Sequence, residues 1–194
     1  MNRSACAIVL LATIATTGCS SGPHGPYRPQ TESRRDTATA QHLTQETARA
    51  IAEDDSPDSL ERAENMLRRA LNADLYHGPA HNNLGVVYLK QGKMYEAASE
   101  FEWARKLMPG HPDPRMNLAL TLEQAGQIDE ALATYSTALE AYPGHMPTIQ
   151  AMTRLEMYEG RVTPETEIRL GQIALRGDSQ RWREWAHDRL GQQR

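Results

Sequence analysis

Across residues 78–145 the large, small and polar positions follow helical rather than strand spacing. Leu84, Tyr88 and Leu89 stand at i, i+4 and i+5, on one face of a helix. Ala97, Phe101 and Ala104 follow at i, i+4 and i+7 and give a second helix its apolar stripe. Gly92 sits between the two runs, where a left-handed residue ends a helix at little cost. Pro109 stops the second run, since it lacks an N–H and clashes with the preceding turn. The same order is then written again 34 residues on. Leu118, Ala119, Leu122, Ala131, Tyr135, Ala138 and Pro143 take the places of Leu84, Gly85, Tyr88, Ala97, Phe101, Ala104 and Pro109. Gly126 repeats Gly92, and Pro143-Gly144-His145 repeats Pro109-Gly110-His111. The pattern predicts paired antiparallel helices at about 79–91 and 94–107, then 113–125 and 128–141. Gly85 and Ala97 are small where the helices of a pair must approach closely, and Asp113 before Pro114 reads as an N-cap.

The flanks carry worn versions of this unit. Ala63, Leu67 and Ala70 stand 34 before Ala97, Phe101 and Ala104, and Leu75 replaces the closing proline. Ser56 is placed to cap that helix ahead of Pro57. Before it, about Thr37 to Glu53, a weakly apolar helix offers Leu43, Ala48, Ala50 and Ile51. After His145, Ile149, Met152, Leu155 and Met157 predict another first helix closed by Gly160. Thr163-Pro164 opens its partner, with Ile168, Leu170, Ile173 and Leu175 displaced by about three residues from strict register. A last amphipathic helix from about Asp178 to Leu190 carries Trp182, Trp185, Ala186 and Arg189 on one side, suited to covering an open end.

A 34-residue period with this order of large, small and proline positions resembles the tetratricopeptide repeat. His81 departs from it, standing where the family has tryptophan. The resemblance implies an all-α fold, an α-solenoid of helix-turn-helix repeats forming a short right-handed superhelix. The segments are then a degenerate repeat at 41–77, full repeats at 78–111 and 112–145, a degenerate helix pair at 146–177 and a capping helix at 178–194. A solenoid also suits a chain of 194 residues with one Phe, because each repeat buries only one face against its neighbours.

Ahead of the repeats, Ala5 to Ala15 is an apolar run too short to span a membrane. With Arg3 before it, it reads as a secretory signal. Thr16-Thr17-Gly18-Cys19-Ser20 at its end resembles a bacterial lipoprotein signal peptide over 1–18, although Thr16 stands where that family has Leu. The resemblance implies a diacylglyceryl group on Cys19 and, with Ser20 following, anchorage to the periplasmic face of the outer membrane. The alternative is cleavage near Ala15, leaving Cys19 as a free thiol. Residues 19–40, rich in Pro and Gly, read as a disordered tether. Cys6 and Cys19 are the two cysteines, so the repeat body has neither a disulfide nor a Cys metal site.

Charge is unevenly spread. Residues 44–145 hold nine basic and sixteen acidic side chains, a net of −7, whereas 146–194 carry +1. A chain of net charge −4 argues against a nucleic-acid footprint. The period also repeats His77, His111 and His145, but equivalent helices lie about 8–10 Å apart. Zinc needs each nitrogen at about 2.0–2.1 Å, so no metal is expected. His111-Pro112-Asp113 matches the tripeptide of J-domain co-chaperones but falls on a repeat boundary, where it is coincidental. No phosphate loop, nucleophile elbow or His-x-x-x-His helix is present, so neither catalysis nor a cofactor is expected.

The family resemblance puts the inner face on the first helix of each pair. There stand Asn82, Asn83, Val86, Leu89 and Lys90, then Met116, Asn117, Leu120 and Glu123. Asn83 and Asn117 are one period apart, and an amide offers both donor and acceptor to a peptide backbone. Asparagine also occurs at this place in repeats with no ligand there. Pro147 and Ala151 occupy the places of the lysine and arginine of the family's carboxylate clamp, which is therefore absent. The expected function is a non-enzymatic scaffold at the cell envelope, taking an extended or helical segment of a partner protein. It resembles small lipoproteins of pilus, secretion or outer-membrane assembly. The alternatives are a binding regulator of peptidoglycan synthesis or hydrolysis enzymes and, from another class, a hydrolase with an unrecognised site.

Overall fold

The computed structural model describes residues 35–192, all helix and connecting turn. The helices are α1 (Thr37–Glu53), α2 (Pro57–Ala73), α3 (Gly78–Lys90), α4 (Met94–Leu107) and α5 (Asp113–Gln124). They continue with α6 (Ile128–Ala141), α7 (Met146–Tyr158), α8 (Pro164–Arg176) and α9 (Gln180–Gln192). The signal segment and Cys19 lie outside the described residues. Helix α1 begins at Thr37, inside the segment read as tether, because Asp36 caps it by accepting the Thr39 N–H (3.0 Å). No helix among the described residues is long and apolar enough to cross a membrane.

Short turns fold α1 with α2, α3 with α4, α5 with α6, and α7 with α8 into hairpins, and α9 closes on α8. Gly92, Gly126 and Gly160 end α3, α5 and α7 at φ of 76°, 76° and 67°, the left-handed conformation that favours glycine. Between hairpins, each second helix packs on the next first helix. The first helices also touch in sequence, α1 on α3, α3 on α5 and α5 on α7. They therefore form the inner layer of the stack.

The core runs as three linked clusters. Leu43, Leu67, Leu71, Leu84, Tyr88 and Phe101 centre the first. Ala119, Ala131, Tyr135 and Leu155 form the second. Ile149, Leu170, Ile173 and Ala186 form the third, with Trp182 and Trp185 packed against it. Gly85 faces Phe101 so closely that a Cβ would lie 2.6 Å from the ring.

Three local expectations are corrected. In α1 the buried residues are Ala40, Leu43, Thr44 and Thr47, while Ala48 and Ala50 face solvent. Thr44 and Thr47 tolerate burial because their hydroxyls donate to Ala40 O and Leu43 O, both at 2.7 Å. Asp113 is the first helical residue of α5 rather than its cap, with Pro112 in the cap position. In α8 the buried stripe is Thr166, Leu170, Ile173 and Ala174, whereas Ile168 and Leu175 are 63% and 79% exposed. The register slip is one residue, not three. Thr166 shares a capping box with Thr163 and donates to the buried Glu156 carboxylate (2.9 Å), which turns that side of α8 inward.

Candidate functional site on the inner face

The inner layer presents one half-buried row from α3 to α7. Asn82, Asn83 and Val86 on α3 are followed by Met116, Asn117 and Leu120 on α5, all partly accessible. Residues 150, 151 and 154 on α7 continue the row as Gln150, Ala151 and Arg154. Gln150 is buried, so only the latter two remain accessible.

The amides meet differently from the repeat register. Asn117 Nδ2 donates to Asn82 Oδ1 (3.1 Å), and Asn82 Nδ2 donates weakly to Asn83 Oδ1 (3.4 Å). Asn83 and Asn117, one period apart, are thus joined through Asn82. An amide has two N–H donors and one carbonyl acceptor. The Asn83 amino group is consequently placed to donate to a peptide C=O, and the Asn117 carbonyl to accept from a peptide N–H.

The charged ends of the row are already engaged. Lys90 Nζ donates to Asp55 Oδ2 (2.8 Å) across the turn between α1 and α2. Glu123 accepts from Arg154 (2.6 Å) and from the Tyr135 hydroxyl (3.2 Å). Burial and the adjoining Glu123 carboxylate hold the Tyr135 phenol protonated well above its ordinary range. Val86 and Met116 lean on the first and second core clusters, so their exposed edges are apolar but narrow.

The largest surprise lies behind this face. His81 is fully buried, stacked on Trp103 with ring centroids 5.4 Å apart and planes 10° apart. Its Nε2 meets Leu75 O (2.8 Å) and its Nδ1 meets Glu100 Oε2 (2.7 Å). A carbonyl only accepts, so Nε2 carries a proton and a second proton lies between Nδ1 and the carboxylate. The pair ties α3 to α4 and to the turn after α2. Glu100 falls three residues after the small position Ala97, where solvent is the default reading. Only the coincidence of an acidic residue and Trp103 on one helix with a histidine in a tryptophan position hints at the pair.

The recurring histidines do other work. His145 Nδ1 bonds the Thr148 hydroxyl (2.7 Å), and its Nε2 stands 3.5 Å from Asp113. His111 stands 3.7 Å from the same carboxylate. Among the described residues no three His, Cys, Asp or Glu side chains are grouped to hold a metal.

At the far end of the inner face α7 meets α9. Trp182 and Trp185 pack edge to face, centroids 5.3 Å apart, and with Arg154 and Arg181 line a hollow of about 370 Å3. A second hollow of about 300 Å3 shares Arg154 and Trp185 and adds Met157, Tyr158 and Arg189. Part of each ring covers the core end, as expected for a capping helix, and the rest lines the hollow.

Stacked helical hairpins with a shared inner face define a repeat solenoid, a class that exposes groove rather than pocket. The tetratricopeptide-repeat family matches the chain over residues 47–112 and again over 88–155. The chain is a tetratricopeptide-repeat protein across that span. Tetratricopeptide repeat protein 8 of mouse and of human are each 25% identical to it over 96 residues, half of this chain. That stretch is 19% of the mouse protein and 18% of the human one. Among solved structures, the first repeat domain of Spaghetti (RPAP3) bound to the HSP90 peptide SRMEEVD superposes with a TM-score of 0.58. It shares 16% identity and covers 66% of this chain and 98% of its own. An O-GlcNAc transferase of Thermobaculum terrenum reaches 0.61 at 22% identity, over 73% of this chain and 26% of that one. These likenesses concern the fold.

Proposed function

We propose that the protein is a non-enzymatic scaffold whose inner face holds a segment of a partner protein at the bacterial cell envelope. The observation that carries this reading is the amide chain Asn117–Asn82–Asn83, which leaves one donor group and one acceptor open beside the apolar edges of Val86 and Leu120. Such a surface holds backbone by hydrogen bonds and leaves side chains to the apolar edges. Peptide complexes of structurally similar repeat domains, with HSP90 and HSP70 peptides, support the mode of use. The envelope location rests on the apolar run ending in Gly18-Cys19, with Cys19 as the lipidated residue of the mature chain. Assistance in assembling a pilus, secretion or outer-membrane complex is the role that a tethered scaffold of this size would serve.

Two experiments test the proposal. Partners recovered from envelope extract are titrated against Asn83→Ala/Asn117→Ala, which is expected to bind more weakly by about 1–3 kcal/mol with unchanged melting. Unchanged affinity would remove the inner face from the binding site. Mass spectrometry of the membrane fraction is expected to find a diacylglyceryl-modified Cys19 at the mature N-terminus, and Cys19→Ser is expected to leave the membrane. A mature chain starting elsewhere with a free thiol would refute the anchor.

A further inference from the structure

The inner face does not have one character along its length. Its α3–α5 section is amide and apolar, and Lys90 and Glu123 there are paired with groups of the chain itself. Its α7–α9 section is arginine and indole. Arg154 stands two periods on from Val86, so the groove row runs directly into this corner. The guanidinium is fixed by Glu123 (2.6 Å) yet stays 42% exposed, so it retains N–H donors toward the hollow. Arg181 is exposed and meets no carboxylate among the described residues, and Arg189 bonds only the neutral Gln192 side chain (3.0 Å). Between these three cations lie Trp182 and Trp185, half-buried, with Tyr158 84% exposed beside them.

The geometry points to a second recognition site at this corner, one that takes an acidic segment carrying an aromatic or large aliphatic side chain. The hollows are large enough for one such side chain, and their indole walls give it apolar area and ring contacts. Guanidinium groups at the rim present paired donors that match carboxylate geometry. Arg181 and Arg189 gain Coulomb energy on binding and give up no ion pair within the described residues. The charge preference is opposite to the one the −7 of residues 44–145 favours by long-range attraction. It therefore predicts direction as well as composition: the acidic, bulky part of a bound segment sits at the α9 end. The site deepens the scaffold reading and rests on it.

The test selects a random-peptide display library on the full-length protein, then measures the recovered peptides by fluorescence titration against variants. Recovered sequences are expected to place Asp or Glu within a few positions of Trp, Phe or Leu. The double variant Arg181→Glu/Arg189→Glu, checked for unchanged melting, is expected to lose affinity by roughly tenfold or more, and wild-type binding is expected to weaken with added salt. Trp185→Leu reports the apolar wall, and Arg181→Glu alone carries the conclusion if that variant fails to fold. Peptides that lack acidic residues, or that bind the double arginine variant equally well, would overturn the site. If those same peptides lose affinity with Asn83→Ala/Asn117→Ala, the scaffold reading stands and only this corner is withdrawn. Vesicles containing anionic lipid form a separate arm. Vesicle binding that the arginine substitutions abolish, with no acidic peptide recovered, would assign the corner to membrane surface and overturn the proposal.

Discussion

Gly85 shows what a single hydrogen atom decides in this fold. Any Cβ there meets the ring of Phe101 at 2.6–2.9 Å, and Phe101 is fully buried with no room to withdraw. Gly85→Ala is expected to destabilise by about 1–3 kcal/mol despite its better helix propensity, read as a drop in the denaturant midpoint. The His81–Glu100 pair makes a sharper case. Either single replacement, His81→Phe or Glu100→Met, removes the buried bond between Nδ1 and the carboxylate and is expected to cost about 3–5 kcal/mol. The double replacement should cost less than the sum of the two single ones, since each breaks the same His81–Glu100 bond, and a thermodynamic cycle measures the difference. Asp74 supplies the pH dependence. Its side chain has no exposure and accepts from Arg35 (2.8 and 3.1 Å), the Thr37 hydroxyl (2.8 Å) and the Tyr76 N–H (3.0 Å). Burial alone would raise its pKa, but these bonds outweigh it and hold the carboxyl below the usual range. A depressed folded-state pKa gives stability that is complete above the unfolded value, about 3.9, and is lost as pH falls through the folded one. Asp74→Asn should therefore be less stable near neutrality, with a flatter loss of melting temperature between about pH 5 and pH 2 than the parent protein.

The elements differ in how far their sequences declare them. Helices α3 to α6 were legible to within a residue or so because their apolar positions and turn glycines recur at one period. Helix α8 was legible as a helix but not as a face. Ile168 and Leu175 look like core by residue type, yet they are solvated, because Glu156 and the Thr163–Thr166 box turn Thr166 inward. Ile168→Gln and Leu175→Gln are expected to change stability by less than about 0.5 kcal/mol, whereas Leu170→Ala should cost about 2–5 kcal/mol. Chemical denaturation of the three variants decides the register. Helix α9 covers Ile149, Leu170 and Ile173 with Trp182, Trp185 and Leu190. Truncation after Gly177 should lower the melting temperature, since it uncovers the buried Ile149, Leu170 and Ile173. An unchanged melt would make α9 a docking element and not a cap.

For the whole molecule, local pattern and three-dimensional placement divide cleanly. The amino-acid sequence by itself determined the helical hairpins, their order and the left-handed turns at Gly92, Gly126 and Gly160. All of these follow from spacing within one repeat and its recurrence in the next, so no contact between distant residues is needed to see them. The tertiary structure alone decided which side chains meet across repeats. Asn117 reaches Asn82 and not Asn83, Glu123 is taken by Arg154, and His81 finds Glu100. It also brought Arg154 and the tryptophans of α9 to one corner, although α8 lies between them in the chain. Such meetings depend on the stagger and rotation of one helix against another. Small changes in turn length and single buried polar bonds set those quantities, and the residue pattern within any one helix does not record them.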